Sequence, residues 1–348
     1  MNNVNPKPAA TTPQQPLLTI EDLSLSFETS QKGVVLEALQ KVALVVNASQ
    51  TVCIVGESGC GKSLTSLAIM GLTPTNALKP TGTVWFQTKD NKRVELLSLP
   101  ERELRKLRGR EIAMIFQDPM TSLNPAFTVE FQLCEAIQTH SNVKLSKTQL
   151  REKAIAALDA VGIPAPADRL KAYPFQLSGG MSQRVMIAIA LAGDPKILIA
   201  DEPTTALDVT IQAQILTLLK NLQTSRKMGL ILITHDLGVV AEMADFVNVM
   251  YAGQIVESGS AADVLHNPRH PYTQALLNSL PALQMTKTNE RRLESIPGVV
   301  PHLAARPSGC QFHPRCLYKT TVCVAGHPAL KAISNDHAAR CFKTEGKL

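Results

Sequence analysis

Residues 56–63, with the sequence GESGCGKS, constrain the fold of this chain most, because they fit the phosphate-loop pattern G-x-x-x-x-G-K-[ST]. The apolar run 51–55 before them predicts a strand, and the run 64–71 after them predicts a helix. Glycine lets the backbone bend closely around a phosphate, and amides at the helix start can then point at the anion. The segment therefore predicts a phosphate-binding loop in an α/β fold, although a glycine-rich turn with an incidental lysine fits the same letters.

Two side chains of this loop have chemistry beyond the backbone. Lys62 would reach the β- and γ-phosphates of a nucleotide, and the hydroxyl group of Ser63 would be a ligand of Mg²⁺. The candidate nucleotide-binding positions of the loop are Gly56, Ser58, Gly59, Cys60, Gly61, Lys62 and Ser63.

The composition limits the class of protein. The 348 residues suffice for two domains, 45% of them are hydrophobic, and the net charge is +6. Residues 290–348 hold nine Lys and Arg against four Asp and Glu, a net of +5, which indicates either an anionic neighbour or a solvated surface. The sequence contains no apolar run of about 20 residues, so it predicts no membrane span. Residues 1–16 lack the apolar region of a signal peptide and predict a disordered tail, so we expect reduced thiols for the seven cysteines.

Two adjacent carboxylates, Asp201 and Glu202, follow the apolar run 196–200, which predicts a buried strand. Asp201 would hold Mg²⁺, and Glu202 would act as the general base for an attacking water. Two solvated loop acids are the alternative, but a strand this apolar should lie centrally in the sheet.

Two further polar residues follow buried-strand patterns. Gln117 comes after the run 112–116, and His235 comes after the run 230–234. Ligands of open α/β sheets bind at the carboxyl ends of the strands, so Gln117 would contact the ligand and His235 would donate a hydrogen bond to a γ-phosphate oxygen. The alternatives are an ordinary first loop residue and a structural histidine.

A second glycine-bordered helix start lies at residues 177–183, LSGGMSQ. Ser178, Gly179 and Gly180 would open a helix that runs to about residue 192, and its free amides would form a second anion site. Taken alone, these residues are better explained by an ordinary serine-capped helix, and only the first phosphate loop in the same chain favours the anion site.

The remaining regions predict two subdomains. Residues 17–27 and 37–46 alternate as strands do, and Phe27 at the end of the first could stack on an adenine ring or belong to the core. Residues 125–178 change to a helical pattern in which Ser146 and Gln149 fit a capping box.

Together these residues resemble an ABC-type ATPase over about residues 17–260. The resemblance implies a P-loop NTPase fold with a mixed RecA-like sheet, an antiparallel β subdomain and an α-helical subdomain at about 125–180. It also implies ATP and Mg²⁺, and two such domains facing head to tail. Ser178, Gly179, Gly180 and Gln183 would then bind the nucleotide of the partner. Asp208 would lie at the interface between the two domains, and Gln117 would sense Mg²⁺ and a transmembrane partner.

Residues 266–280, which begin HNPRHPYT, resemble the C-terminal extension of peptide-import ATPases, a group that carries dipeptides, oligopeptides or sometimes nickel. By this resemblance, residues 261–348 form the extension. It contains Cys310, Cys316, Cys323 and Cys341, whose spacing does not fit the paired C-x2-C of common zinc modules.

The segment CQFHPRC around the first two of these cysteines resembles the cysteine motif of such importers, which can hold a [4Fe-4S] cluster. Arg315 and Arg340, each beside a cysteine, would offset its negative charge. Zinc and unliganded thiols are the alternatives.

The resemblance implies the ATP-hydrolysing subunit of a bacterial peptide importer, peripheral on the cytoplasmic face of the inner membrane. Its partners would be a second, different ATPase subunit, two transmembrane permease subunits and a periplasmic substrate-binding protein, and no nucleic acid is expected. The rivals are a soluble ABC ATPase that acts on nucleic acid or ribosomes, an importer of nickel or another small solute, and a metal or redox sensor on an inactive cassette.

Overall fold

The computed structural model describes residues 15–29, 33–118, 122–205, 207–279 and 296–345. The predicted disordered tail therefore lies outside the described residues, apart from its last two positions. The strands are β1 (Leu18–Glu28), β2 (Val35–Val46), β3 (Thr51–Val55), β4 (Thr81–Gln87), β5 (Arg93–Glu95), β6 (Ile112–Ile115), β7 (Ile197–Asp201), β8 (Gly229–Thr234), β9 (Phe246–Tyr251), β10 (Gln254–Ser260), β11 (Lys331–Ser334) and β12 (His337–Ala339).

Helices connect and cover these strands. The α-helices are α1 (Lys62–Met70), α2 (Glu101–Leu107), α3 (Val129–His140), α4 (Lys147–Ala160), α5 (Pro166–Arg169), α6 (Gly179–Ala190), α7 (Val209–Arg226), α8 (Leu237–Met243), α9 (Ala261–His266), α10 (Pro271–Asn278) and α11 (Thr321–Ala325). Short 3-10 helices cover Leu96–Ser98, Pro174–Gln176, Leu303–Ala305, His313–Arg315 and Phe342–Glu345. Among the residues that the structure describes, no helix is both long and apolar enough to cross a membrane.

A large mixed sheet forms the centre of the molecule. In the described ranges its strand order is β11-β12-β10-β9-β3-β8-β7-β6. The strands from β9 to β6 pair in parallel, whereas β10, β12 and β11 are antiparallel. Every residue of β3, β7 and β8 is buried. Their nearly continuous apolar sequences are typical of strands that are covered on both faces of a sheet.

Each face of this sheet packs against a different layer. Val52 and Ile54 point to the side of a smaller antiparallel sheet of order β2-β1-β4-β5, and Cys53 and Val55 point to the side of the α-helices. This alternation follows from the two-residue period of a strand. The result is the predicted α/β architecture with a mixed sheet, an antiparallel sheet and a helical region, and the strand ends of β3, β7 and β8 lie at one edge.

The helical region between β6 and β7 contains α3 to α6. The predicted capping box is confirmed: the Ser146 hydroxyl accepts the N–H of Gln149 at 3.3 Å, and the Gln149 side chain accepts the N–H of Ser146 at 2.9 Å. Thr128 caps α3 through its hydroxyl group, which accepts the N–H of Phe131 at 3.3 Å.

The C-terminal extension adds strands to the large sheet. β12 pairs with β10, and β11 pairs with β12 at the edge. The buried Glu257 of β10 fixes this junction, because its carboxylate lies 2.7 Å from Nε2 of His337 and accepts the N–H groups of Arg269 and His270. The sequence did not predict β11 or β12. The domain boundary at 260/261 stays a prediction, and residues 280–295 and 346–348 of the extension lie outside the described part of the chain.

Candidate nucleotide-binding site

The phosphate loop joins β3 to α1, as the motif predicted. Gly59 and Gly61 adopt left-handed φ values of 78° and 107°, which glycine reaches without strain. A Cβ atom on Gly56 would lie 2.2 Å from the carbonyl oxygen of Met250, so only glycine fits there. The shape of the loop therefore depends on its glycines.

Lys62 is held inside this loop. Its Nζ atom donates to the carbonyl oxygens of Gly56 at 2.8 Å and Glu57 at 3.1 Å, and its side chain is 5% exposed. The ammonium group also lies 3.8 Å from Oε1 of Glu202. One cation thus connects the loop to the carboxylates at the end of β7.

Ser63 and Asp201 meet as predicted for a magnesium site. The Ser63 hydroxyl donates to Oδ1 of Asp201 at 3.1 Å. Burial raises the pKa of Asp201, and the hydrogen bond from Ser63 only partly opposes this. A hydroxyl and a carboxylate are oxygen ligands of the kind that Mg²⁺ prefers, and a divalent cation beside Asp201 would favour its charged form. The residues present therefore fit the ion.

Glu202 is the centre of the polar contacts at this edge. Its Oε2 atom accepts a hydrogen bond from Nε2 of Gln117 at 3.0 Å and from Oγ1 of Thr205 at 2.9 Å. Nδ1 of His235 lies 3.3 Å from the same oxygen. The structure thus brings Gln117, Glu202 and His235 together from the ends of three parallel strands.

Two local features prepare Glu202 for a role as a base. Its backbone has a left-handed φ of 45°, which a non-glycine residue rarely adopts and which recurs at functional sites. Burial would raise the pKa of this carboxyl group, but the hydrogen bonds from Thr205 and His235 outweigh burial and lower the pKa. Glu202 is therefore ionised at neutral pH and able to accept a proton.

The second glycine-bordered helix start lies at the N-terminus of α6. Ser178 caps the helix, because its hydroxyl accepts the N–H of Met181 at 3.4 Å, and Ser178 and Gly179 are exposed. Asp208 caps α7 through the N–H of Ile211 at 3.0 Å. Among the described residues, the hydrogen bonds of Ser178 stay within its own helix, and none joins this helix start to the phosphate loop.

Two other predicted nucleotide contacts remain untested predictions. Gln183 is 1% exposed, and its Nε2 atom has no hydrogen-bond partner among the described residues. Phe27 is partly buried and packs against the core between the two sheets, so the choice between adenine stacking and a core role stays open.

The four cysteines of the extension surround one pocket together with aromatic side chains that include Phe312 and Phe342. Burial raises the pKa of Cys310 to about 11, and the other three thiols add to this rise. Burial also raises the pKa values of Cys316 and Cys341, and each of these two lies close enough to Cys323 to be affected by its charge. All seven cysteines of the chain are free thiols.

No group of three His, Cys, Asp or Glu side chains within the described ranges converges on the position of a single metal ion. The described residues therefore show neither a preformed zinc site nor a preformed cluster site, and the choice among cluster, zinc and unliganded thiols stays a prediction.

One expectation for the extension was wrong. Arg315 was expected to offset charge at the cysteines, but its guanidinium group forms two hydrogen bonds, of 2.7 and 2.9 Å, with the carboxylate of Glu57 in the phosphate loop. A carboxylate is a stronger partner than a neutral thiol, since a guanidinium fork matches it with two parallel bonds. Arg340 does lie within electrostatic range of Cys310, as expected.

Three residues at the site were missed by sequence reasoning. Glu57 occupies a position of the loop motif that any residue can take, Thr205 lies in no motif, and Tyr272 is 215 positions away from the residue that it contacts. Only the position of Thr205, three residues after the predicted base, could have drawn attention to it.

Comparisons with known proteins agree with this geometry. The sequence pattern of the family described as ABC transporter matches residues 39–205, and that of the oligopeptide/dipeptide transporter C-terminal region matches residues 256–323. The dipeptide transport ATP-binding protein DppD of Escherichia coli (strain K12) is 51% identical over 325 residues, which cover 93% of this chain and 96% of that protein. DppD of Bacillus subtilis (strain 168) is 48% identical over 327 residues, 94% of each chain.

A solved structure shares the fold. It is the dimeric structure of a post-hydrolysis state of the ATP-binding cassette MJ0796 bound to ADP and Pi, with a TM-score of 0.61 and 28% identity over 70% of this chain and 98% of that chain. The fold and the site thus define an ATP-hydrolysing cassette. The chain belongs to the ABC transporter family, in the group of ATP-binding proteins that carry the oligopeptide/dipeptide transporter C-terminal region.

Proposed function

We propose that this chain is the ATPase subunit of a bacterial importer of dipeptides or oligopeptides and acts at the cytoplasmic face of the inner membrane. The observation that supports this best is the set of contacts around Glu202, where the predicted base meets Gln117, His235 and Lys62 at the end of the phosphate loop. The names of the relatives, which are dipeptide and peptide import proteins, support the substrate class.

ATP would be bound by the loop amides and Lys62, with Phe27 against its adenine, while Ser63, Asp201 and Gln117 would hold Mg²⁺. When bound, Mg²⁺ would neutralise charge on the phosphate oxygens. Glu202 would accept the proton of the water that attacks the γ-phosphorus, as the bond between that phosphorus and the β-bridging oxygen breaks. His235 would donate a hydrogen bond to a γ-phosphate oxygen. A positioned general base contributes about 10²–10⁴ in rate.

The exposed helix start at Ser178 supports the proposal of a second ATPase subunit. Ser178, Gly179 and Gly180, with Gln183 behind them, would bind the nucleotide held by the partner, and Asp208 would lie at the interface between the two subunits. The dimeric form of the solved relative supports a paired assembly. We favour a different ATPase as the partner, with two permease subunits and a periplasmic binding protein completing the importer.

The four thiols of the extension would hold a [4Fe-4S] cluster. Four soft ligands line one pocket, and burial together with neighbouring thiols raises the pKa values of Cys310, Cys316 and Cys341, which supports a site that positive charge would stabilise. Protein purified without oxygen should be brown and contain iron and sulfide, and Cys316→Ser should lose both. A colourless, iron-free preparation would contradict the cluster.

The transport function is tested by uptake of a labelled dipeptide in a strain that lacks this chain. Uptake should fail in the deletion strain, return with the wild-type chain, and not return with Glu202→Gln. Normal dipeptide uptake in the deletion strain, together with a loss of nickel uptake, would replace the peptide substrate with the metal ion.

A further inference from the structure

We propose that Arg315 and Tyr272 of the C-terminal extension are positioning residues of the ATP site, which hold the phosphate loop in its binding shape. The proposal rests on the proposed function only in that this loop binds ATP. It assigns the extension a role in the nucleotide site of its own chain.

The first observation is that every polar group of Glu57 has a partner. Its backbone N–H donates to the hydroxyl oxygen of Tyr272 at 2.9 Å, and its carbonyl oxygen accepts from Nζ of Lys62 at 3.1 Å. Its carboxylate accepts from Nη1 of Arg315 at 2.7 Å and from Nη2 at 2.9 Å. Of the three side chains that bond to Glu57, two therefore come from the extension, more than 200 positions away in the sequence.

The second observation is that Arg315 is itself rigidly held. Its side chain is 5% exposed, its Nε atom donates to the carbonyl oxygen of Pro297 at 2.7 Å, and Nη1 lies 3.5 Å from the hydroxyl oxygen of Tyr251. A buried guanidinium group with two parallel bonds to one carboxylate fixes both the distance and the orientation of its partner. Arg315 is thus a firm support for Glu57.

Tyr272 is equally well fixed. It is fully buried, and its ring packs against the rings of Tyr251 and Phe312 at centroid distances of 4.7 and 5.3 Å. Aromatic clusters of this kind keep a hydroxyl group in one place because the rings cannot rotate freely in a packed core. The Tyr272 oxygen is therefore a fixed acceptor for the loop.

The loop needs such supports because its glycines leave it conformationally free. Gly59 and Gly61, on either side of Cys60, have left-handed φ values, and a segment with glycines loses more entropy when it is ordered around a ligand. Holding Glu57 from outside also fixes one of the two carbonyl oxygens that anchor Lys62. Loss of the supports should therefore weaken ATP binding more than it slows the chemical step.

The extension also offers a matched control. Arg340 lies beside Cys341 in the sequence, as Arg315 lies beside Cys316, and its side chain is partly buried. It donates to the carbonyl oxygens of Ile255 and Pro328 and not to the phosphate loop. A variant of Arg340 therefore disturbs the surroundings of the cysteines without removing a contact of Glu57.

The experiment compares Arg315→Met, Arg315→Lys and Arg340→Met in the full-length chain. Titration calorimetry gives the Kd for ATP, steady-state assays give kcat and KM, and Tm checks folding. We expect Arg315→Met to raise Kd and KM about tenfold, the range for losing charge-assisted bonds, while kcat changes less than about threefold. Arg315→Lys keeps the positive charge but cannot form two parallel hydrogen bonds with the carboxylate. Its Kd for ATP should therefore lie between the Kd of the wild type and that of Arg315→Met. Arg340→Met should bind ATP like the wild type.

Tyr272→Phe removes one oxygen and keeps the ring, so it tests the proposal even if Arg315→Met does not fold. We expect a rise of about threefold in Kd, in keeping with a neutral hydrogen bond. A Kd within the error of the wild type in both Arg315→Met and Tyr272→Phe would overturn the proposal. Equal losses in Arg315→Met and Arg340→Met would also overturn it, because they would assign the effect to the cysteine site. A wild-type chain that binds no ATP would instead contradict the proposed function itself.

Discussion

The two glycine-bordered helix starts of this chain use glycine for different reasons. In the phosphate loop before α1, a Cβ on Gly61 would lie 2.9 Å from Cδ2 of Leu39, and the φ of 107° is left-handed. At the start of α6, Gly179 has helical backbone angles, and the nearest atom to a Cβ would be Cδ2 of Leu207 at an ordinary 3.6 Å. The fold of the chain therefore requires glycine at position 61 but not at position 179.

This difference indicates what each helix start is for. The first is surrounded by Lys62, Asp201 and Glu202 of its own chain, so the residues proposed for binding and hydrolysis lie together. The second is exposed, and alanine at position 179 would favour the helix more than glycine does. A glycine that the chain itself does not need is expected where another molecule approaches the backbone closely, as proposed for the nucleotide of a partner subunit.

The strongest test of the first helix start is Glu202→Gln. The amide keeps the shape of the side chain but cannot accept a proton, so kcat should fall by about 10²–10⁴ while ATP still binds. A phosphate-release assay and ATP titration measure both effects. Glu103→Gln, an exposed acid paired with Lys106, is the control and should leave both unchanged. Unchanged turnover in Glu202→Gln would remove this residue from the mechanism.

Lys62→Ala tests whether the loop cation binds the phosphates. Loss of its charge-assisted hydrogen bonds should raise the Kd for ATP by about 10–100-fold. Titration calorimetry measures the Kd, with Lys220→Ala, a surface lysine that donates to the carbonyl oxygen of Glu242, as the control. An unchanged Kd in Lys62→Ala would mean that the loop does not hold ATP in this way.

Gly179→Ala addresses the second helix start. Since the added methyl group makes only an ordinary van der Waals contact with Leu207, the Tm of the isolated chain should not fall and its ATP affinity should stay as in the wild type. Turnover in the assembled transporter should fall about tenfold, because a small misplacement of reacting groups is costly. Gly180→Ala is the contrast: its Cβ would lie 2.7 Å from Cγ2 of Ile211, so its Tm should fall. Full turnover in Gly179→Ala would contradict the proposed difference between Gly61, which the fold requires, and Gly179, which a partner's nucleotide requires.

The smallest effect is expected for Thr205→Val, which removes a hydrogen bond that lowers the pKa of Glu202. A base with a lowered pKa stays active as the pH falls, so in the variant the acid limb of the kcat profile should move to higher pH. At neutral pH the rate should change less than about twofold, because Glu202 is ionised in both proteins. Thr217→Val, in which only a bond to the carbonyl oxygen of Ala213 is lost, should not shift the profile.

The sequence predicted most of the nucleotide site because its signals are local. The loop motif and the apolar runs before Gln117, Asp201 and His235 each encode a strand and the residue at its end. Parallel pairing then places these ends at one edge, as in the register of Asp201 with Ile233, two residues before His235. Gln117, Glu202 and His235 could therefore be grouped before their distances were known.

The cysteine extension was less predictable. Its edge strand β11 is exposed along its whole length and has no alternating apolar pattern. Its main contact with the nucleotide site joins Arg315 to Glu57 across 258 positions. Neither residue belongs to a pattern that would select the other, so sequence reasoning paired Arg315 with the nearby cysteines.

The amino-acid sequence by itself determined the strands and helices around the phosphate loop and the candidate base, the glycines of that loop and the identity of the base, since these depend on neighbours within a few residues. The tertiary structure alone decided that Thr205 supports the base and that the extension holds the phosphate loop. Such contacts depend on how distant segments pack, and the free energy of packing is a sum over the whole core that no short stretch of sequence contains.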